Sequence, residues 1–340
     1  MQLTLVVPDL LDWSPSALAA AGARAPTLTR VLASADGATL EHDGPTAVLC
    51  TELGIAKQRD WPMAPWLARA AGLDPGSGYW LCAEPTNLLP DRDELRLTAI
   101  VHDLSPSEAD ALLGTLNAHF AEDGVCFTAP APNRWFAQVR SVPELTTHPP
   151  SVAIGKTVLA FQPDGPDAGR WRRWQNEMQM LLFEHPVNLA REARGSTPVN
   201  SVWLWGGGQL IAPSDRAGQV LVLTADELVR ELALAVGAVV ESLPAALEVS
   251  TRAPSTLVWP AALGAPDAPV ALKRVAALER EWMVPASRAL VNGAFTHLAL
   301  VIAGRALAAR FEARKSSLIT RLRQRLRPPQ LSALLAVCTE

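Results

Sequence analysis

Histidine is scarce in this chain of 340 residues. There are six, at His42, His102, His119, His148, His185 and His297, and no two stand at the spacing of paired metal ligands. The four cysteines, Cys50, Cys82, Cys126 and Cys338, are scattered without a CxxC pair, which excludes a zinc knuckle and a disulfide framework and makes reduced thiols the default. No apolar run approaches the ~18 residues a membrane helix needs, and the opening MQLTLVVPDLLDW lacks the basic n-region of a signal peptide. A cytoplasmic location is the resulting expectation. Neither charge sign is in large excess: a net charge of -4 and a pI near 5.9 argue against general nucleic-acid affinity. Gly155-Lys156-Thr157 has Pro150 where a P-loop needs glycine, so it is not a phosphate loop of that kind.

What is present fits a folded protein with a substantial core: 49% of residues are hydrophobic and 19% are charged. The length allows one large domain or two, because single cores stop growing near ~250–300 residues. Eleven tryptophans stand against a single tyrosine, and most are expected in the core, where their area is worth burying. The costliest residue types concentrate in NEMQMLLFEHPVNLAREARGSTPVNSVWLWGGGQLIAP, from Asn176 to Pro213. Met178, Leu181 and Leu182 mark a helix with a buried stripe, and upstream Trp171 and Trp174 extend it. Pro186 ends or kinks that helix. A second helix, Asn188 to Arg194, stops at Gly195, a C-terminal cap. Val199 to Trp205 reads as a strand running into Gly206-Gly207-Gly208, where a bare backbone lets a ligand or another segment approach closely.

The segment HPVNLAREARGSTPVNSVWLWGGG resembles the HPxNxxRxxxGxxPxNxxxxxGxG stretch of archaeal-type cofactor-independent phosphoglycerate mutases, in the alkaline phosphatase superfamily. The NExQMLL lead-in and the WLWGGG ending look closer to the bacterial RpfE-type regulatory proteins related to them. The resemblance implies an α/β alkaline-phosphatase-like sandwich with a central, mostly parallel sheet and a small inserted α+β subdomain that closes like a lid. It places the core at 1–94 and 151–340 and the insertion at 95–150. It also implies that His185, Asn188, Arg191, Arg194, Asn200 and Gly206, Gly207 and Gly208 form a retained ligand pocket, since arginine forks onto phosphate or carboxylate without a metal.

Other segments follow the same relatives more faintly. Leu3 to Val7 is a buried first strand ending at Pro8-Asp9, at the sheet edge where ligands sit in open α/β folds. The mutases' first Asp binds a metal. Here Leu10 replaces their glycine, and Asp9 is either a retained ligand or a cap or turn residue. Helical residues run from Ser14 to Ala35 with a break at Pro26. In AVLCTELGI, Cys50-Thr51-Glu52 stands where the mutases hold a nucleophilic serine and an acidic neighbour, which makes Thr51 a candidate nucleophile if metals lower its hydroxyl pKa. Trp61 to Asp74 is a helix, and Asp91-Arg92-Asp93-Glu94 is either an exposed turn held by local ion pairs or a phosphate contact through Arg92. A strand from Arg96, a helix capped by Ser105 with Pro106 and Glu108 in a capping box, and strands Val125–Thr128 and Trp135–Val139 compose the insertion. Gln219–Leu223 and Asp226–Val236 form one βα step, LEVS and STLVW are strand candidates, and Val270 to Ala289 is helical.

Two-metal phosphoryl transfer decides between function classes. The mutases carry ligands in motifs resembling DEAGH and ADHS. The corresponding regions here read Trp259-Pro260-Ala261-Ala262-Leu263-Gly264 followed by Asp267, and HLALVIAGRALAARF with Gly304-Arg305 in place of Asp-His. The first expectation is therefore a relative without the two-metal site, a binding or regulatory protein with no cofactor, whose ligand is a small phosphorylated or carboxylate compound or another protein. The alternative is a metal-dependent phosphomutase or phosphatase, using Mn or Zn with Thr51 as nucleophile and Asp9 as ligand. The basic, amphipathic segment with Arg310, Arg314, Lys315, Arg321, Arg323, Arg325 and Arg327 reads as a helix docked on its own domain or as a partner site.

Overall fold

Five of the six residues of β1 (Gln2–Val7) are buried, as the near-continuous apolar run of a strand covered on both faces requires. The computed structural model describes residues 1–35, 37–91, 94–247, 253–266, 270–313 and 329–338. Contacts divide the chain into two units, Met1–Gly54 with Pro213–Glu340, and Ile55–Ala212. After β1, the first unit continues through α1 (Pro15–Arg24), α2 (Pro26–Leu32), β2 (Ala38–Glu41) and α3 (Gly44–Glu52). The break expected at Pro26 is the junction of α1 and α2, with Pro26 in the first turn of α2, where its missing N–H costs nothing.

The second unit holds α4 (Met63–Ala70), β3 (Tyr79–Asp91), β4 (Glu94–Ile100), α5 (Pro106–Phe120), β5 (Val125–Ala131), β6 (Arg134–Val139), α6 (Pro150–Ala153), α7 (Ala168–Phe183), α8 (Pro186–Ala193) and β7 (Ser201–Gln209). It is wider than the insertion expected at 95–150. The reason is β3, the one strand in this unit that the sequence pattern does not announce. It pairs antiparallel with β7 on one side and with β6 and then β4 on the other, so the strands before and after the expected insertion belong to one sheet. Pro85 hides it, since proline is unusual inside a central strand. It sits between the residues that pair with β6 (up to Cys82) and those that pair with β4 (from Thr86), where no ladder acceptor faces its nitrogen. Leu81 and Ala83 join Leu112, Leu116 and Phe120 of α5 and Trp171, Trp174 and Met178 of α7 in this unit's core. The tryptophans of α7 are core, as their helical spacing suggests. The Ser105 capping box is complete.

The chain then returns to the first unit with β8 (Val220–Thr224), α9 (Glu227–Ala235), β9 (Val239–Ser242), β10 (Ser255–Trp259), α10 (Ala271–Leu278), α11 (Val284–Val291), β11 (His297–Ala303), β12 (Ala308–Ala313) and α12 (Leu331–Ala336). Its seven-stranded sheet runs β2-β12-β11-β1-β10-β8-β9. All pairings from β11 to β9 are parallel, and those of β12 are antiparallel, giving the expected mostly parallel sheet. The helix expected over Val270–Ala289 is interrupted by a π-turn at Glu279–Met283. Pro285 explains part of it: lacking an N–H, it leaves the Glu281 carbonyl without its helical donor, and the Leu247 N–H takes that place at 2.8 Å. The same turn aims the buried Glu279 carboxylate at the first N–H groups of α2, at 2.7 Å from Thr27 and 3.1 Å from Leu28. That satisfies orphan donors at the positive end of the helix.

Candidate functional site

In the first unit, the residues at the C-terminal edge of the parallel strands are held by the chain itself. Asp9 is the one non-glycine with positive φ among the described residues, at 66°, a conformation aspartate tolerates better than most. It precedes a short 3₁₀ turn but does not cap it through its side chain. Its Oδ2 instead accepts the Gly264 N–H at 2.7 Å, from the loop after β10. Three residues on, Asp12 accepts the Arg305 N–H at 2.9 Å, from the turn between β11 and β12, with the Arg305 guanidinium alongside at 4.0 Å. A Cβ on Gly304 would press on Asp12 within about 3.1 Å of its Cγ, so the glycine keeps this approach open. The two carboxylates thus tie the ends of neighbouring strands together.

Thr51 is exposed in the last turn of α3. That is the negative end of the helix dipole, which opposes formation of an alkoxide. Its neighbour Glu52 is buried between two guanidiniums, 2.8 Å from Arg216 and 2.6 Å from Arg310 on β12. Among the described residues no group of three or more His, Cys, Asp or Glu is placed to share an ion. Of the acidic groups here, Asp9 and Asp12 already accept backbone N–H groups and Glu52 is paired with two arginines. Arg92, Asp93, Asp267, residues 248–250 of the strand candidate LEVS and the basic stretch 314–328 lie outside the described residues. Arg96 makes a local ion pair with Asp91 beside the expected turn.

The central motif lies wholly in the second unit, and the fold brings its side chains together as an internal brace. His185 caps α8, its Nδ1 accepting the Val187 N–H at 3.2 Å while Nε2 meets the Thr115 hydroxyl at 3.0 Å. Burial pulls its pKa down. Asn188 is buried and donates to the Leu182 and Val199 carbonyls at 2.7 Å each, while accepting the Val199 N–H at 2.8 Å. Arg191 is 0% exposed. Its donors go to the Thr197 carbonyl at 2.8 Å, to Asp103 at 2.5 Å and to Glu108 at 3.2 Å. Arg194, half-exposed, also pairs with Glu108. Asn200 exchanges hydrogen bonds of 2.7 Å with both the N–H and the carbonyl of Leu88, acting as an extra ladder rung beside β3.

The three glycines are inside β7 rather than after its end. Gly206, at φ 66°, sits where the β3–β7 register shifts. A Cβ on Gly207 would overlap the Tyr79 hydroxyl, and one on Gly208 would overlap Pro62. The segment that approaches the bare backbone is therefore the chain's own. Beneath it lies a network that sequence reasoning missed. The buried Asp60 carboxylate accepts the Thr147 N–H at 3.0 Å and its hydroxyl, and the Trp61 N–H at 3.1 Å. The Thr147 hydroxyl oxygen accepts the Gly206 N–H at 3.0 Å. Burial pushes Asp60 above its ordinary pKa, against the lowering effect of those donors and of Gly207. Asp103 was missed as well, and Glu108 was read only as a cap. A sequence shows a capping box because it is local; it does not show which buried cation the same carboxylate will meet.

The chain is similar to cofactor-independent phosphoglycerate mutases. It is 29% identical over 140 residues to the 2,3-bisphosphoglycerate-independent phosphoglycerate mutase 2 of Methanothermobacter thermautotrophicus, covering 39% of this chain and 35% of that protein. It is 30% identical over 107 residues to the corresponding mutase of Methanosarcina barkeri, covering 31% and 27%. The matched stretch is thus about a third or less of either relative's length. No family model matches. Among solved structures, the cofactor-independent phosphoglycerate mutase of Thermoplasma acidophilum aligns over 99% of this chain and 98% of its own, at 13% identity and a TM-score of 0.46.

Proposed function

We propose that this protein is a mutase-related binding or regulatory protein of the RpfE type, one that does not carry out two-metal phosphoryl transfer. One observation carries this reading. The acidic side chains at the C-terminal edge of the parallel sheet, Asp9 and Asp12, hold the backbone N–H groups of Gly264 and Arg305, and Glu52 is neutralised by Arg216 and Arg310. Without ions to lower its pKa, the Thr51 hydroxyl is a poor nucleophile toward a phosphate dianion. The missing electrostatic stabilisation is worth several kcal/mol of barrier, and each ~1.4 kcal/mol is a factor of ten in rate. The motif around Arg191 serves in this reading to brace the second unit. An anionic ligand there would have to displace Asp103 and Glu108 from a buried guanidinium, which leaves Arg194 as the accessible cation of the set.

The test is calorimetric titration of the purified protein with Mn²⁺ and Zn²⁺ at neutral pH, together with elemental analysis and assays of phosphomutase and phosphatase turnover. The expected result is no stoichiometric pair of ions and no turnover that depends on them. Two tightly bound ions per chain, with phosphate release abolished by Thr51→Ala, would overturn the reading. A rise in melting temperature with inorganic phosphate that disappears in Arg194→Ala would return a small anion to the motif.

A further inference from the structure

We propose that His185 is a pH-sensitive latch, fastening the start of α8 to α5 while its imidazole is neutral and releasing it when the ring takes up a proton. The hydrogen bonds around the ring run in one direction. The Val187 N–H can only donate, so Nδ1, which it meets at 3.2 Å, is the bare nitrogen. In a neutral imidazole the hydrogen then sits on Nε2, 3.0 Å from the Thr115 hydroxyl oxygen on α5. Thr115 passes its own hydrogen to the Ala111 carbonyl, at 3.3 Å. Every donor and acceptor in this row is matched in that one tautomer.

A protonated ring breaks the row at Nδ1. It carries a hydrogen on both nitrogens, so an N–H would face the Val187 N–H and the side-chain cap of α8 would be lost. The new positive charge would also stand at the positive end of the α8 dipole. No carboxylate answers it: among the described residues the ring bonds only to Val187 and Thr115. The other charged or titratable groups that α5, α7 and α8 turn toward one another are already paired. His119 of α5 meets Glu177 of α7, and Glu108 of α5 meets Arg191 and Arg194. Glu184, the neighbour in the chain, is exposed. Burial moves the ring's pKa down from its ordinary 6.5, yet the ring is only half-buried and solvent protons reach it. A histidine lowered in this way stabilises the fold fully above about 6.5 and loses that contribution as the pH falls through the lowered value. Asn188 and Arg191 of α8 hold Val199 and Glu108, so release of the first turn loosens the same brace.

Hydrogen–deuterium exchange of the full chain from about pH 8 to pH 5, corrected for the intrinsic pH dependence of exchange, tests this. The ring titration is read in parallel by NMR on histidine-labelled protein. The expected result is that protection of α8 falls about tenfold on acidification, with its midpoint at the ring's own titration and below the ordinary value. His185→Asn keeps a capping side chain but has nothing to titrate in this range, so it should fold and hold the protection of α8 constant. That chain retains every other titrating group, Asp60 and His119 included, so a loss that came from them would persist in it. Equal protection of α8 at both ends of the range in the wild type overturns the proposal. So does a fall of the same size in His185→Asn, and so does a ring that titrates at or above its ordinary value.

Discussion

Arg191 links three segments of the second unit through one side chain, meeting Thr197, Asp103 and Glu108. It is buried, and it neutralises Asp103 and Glu108 from the adjoining segment. In Arg191→Ala the exposed Asp103 returns to water and Glu108 keeps Arg194, so the loss is that of the hydrogen bonds to Glu108 and to the Thr197 carbonyl. The variant is expected to destabilise the chain by about 1–3 kcal/mol in urea denaturation. Arg191→Lys should recover only part, because an ammonium cannot reproduce the forked contacts. Glu108 supplies the pH dependence. Burial pushes its carboxyl up, but the Ser105 N–H, Arg194, the Ser105 hydroxyl and Arg191 outweigh that and hold it at about 2. A carboxyl depressed in the folded state stabilises fully above its ordinary value of 4.5 and loses that contribution as the pH falls toward about 2. The melting temperature of the wild type should drop more steeply between those values than that of Glu108→Gln, and equal slopes would remove this carboxylate from the account. The capping box that places Glu108 was legible from Ser105, Pro106 and Glu108 alone. Its second role was not, because Arg191 is 83 residues away.

Among the elements, β7 shows best how a motif of glycines was half legible. That a bare backbone is approached closely followed from the residue type. What approaches it, Tyr79, Pro62 and Met63, is a matter of tertiary packing. Gly207→Ala would drive a Cβ into the Tyr79 ring and hydroxyl, and overpacking of this kind typically costs about 1–3 kcal/mol. Tyr79→Phe in the same chain should restore part of the loss, since the hydroxyl is removed and the ring atoms remain. Thermal denaturation of the two variants checks it. Full rescue, or none, would mean that the ring is not the neighbour that matters. β3 shows the opposite case. Its Pro85 argues against a strand, and only the switch of partners from β6 to β4 leaves the place where a proline nitrogen needs no acceptor.

At the scale of the whole molecule, each unit has its own hydrophobic core, one around β1, β11 and the π-interrupted helix, the other around α5, α7 and β3. The second unit, Ile55–Ala212, is continuous in sequence, and its two end segments are joined by reciprocal hydrogen bonds between Gln58 and Gln209, at 2.7 and 3.0 Å. A fragment of residues 55–212 is therefore expected to fold alone with a single cooperative transition in calorimetry. A fragment without one would show that its core depends on the first unit.

The sequence by itself determined the features that act over a few residues. Apolar runs became the parallel strands, Pro26 broke one helix from the next, Pro186 kept α7 from running on, Ser105 capped α5 and Gly195 ended α8, because local sterics and hydrogen bonding depend on neighbours in the chain. It also showed how few histidines the chain has, and it carried the resemblance of the segment from His185 to Gly208. Tertiary structure alone decided which groups those residues meet. Asp9 holds Gly264, Glu52 lies between Arg216 and Arg310, and Arg191 faces Asp103 and Glu108. Charge and hydrogen-bond partners are chosen by distance in space, and a buried polar group takes whichever partner the packing delivers.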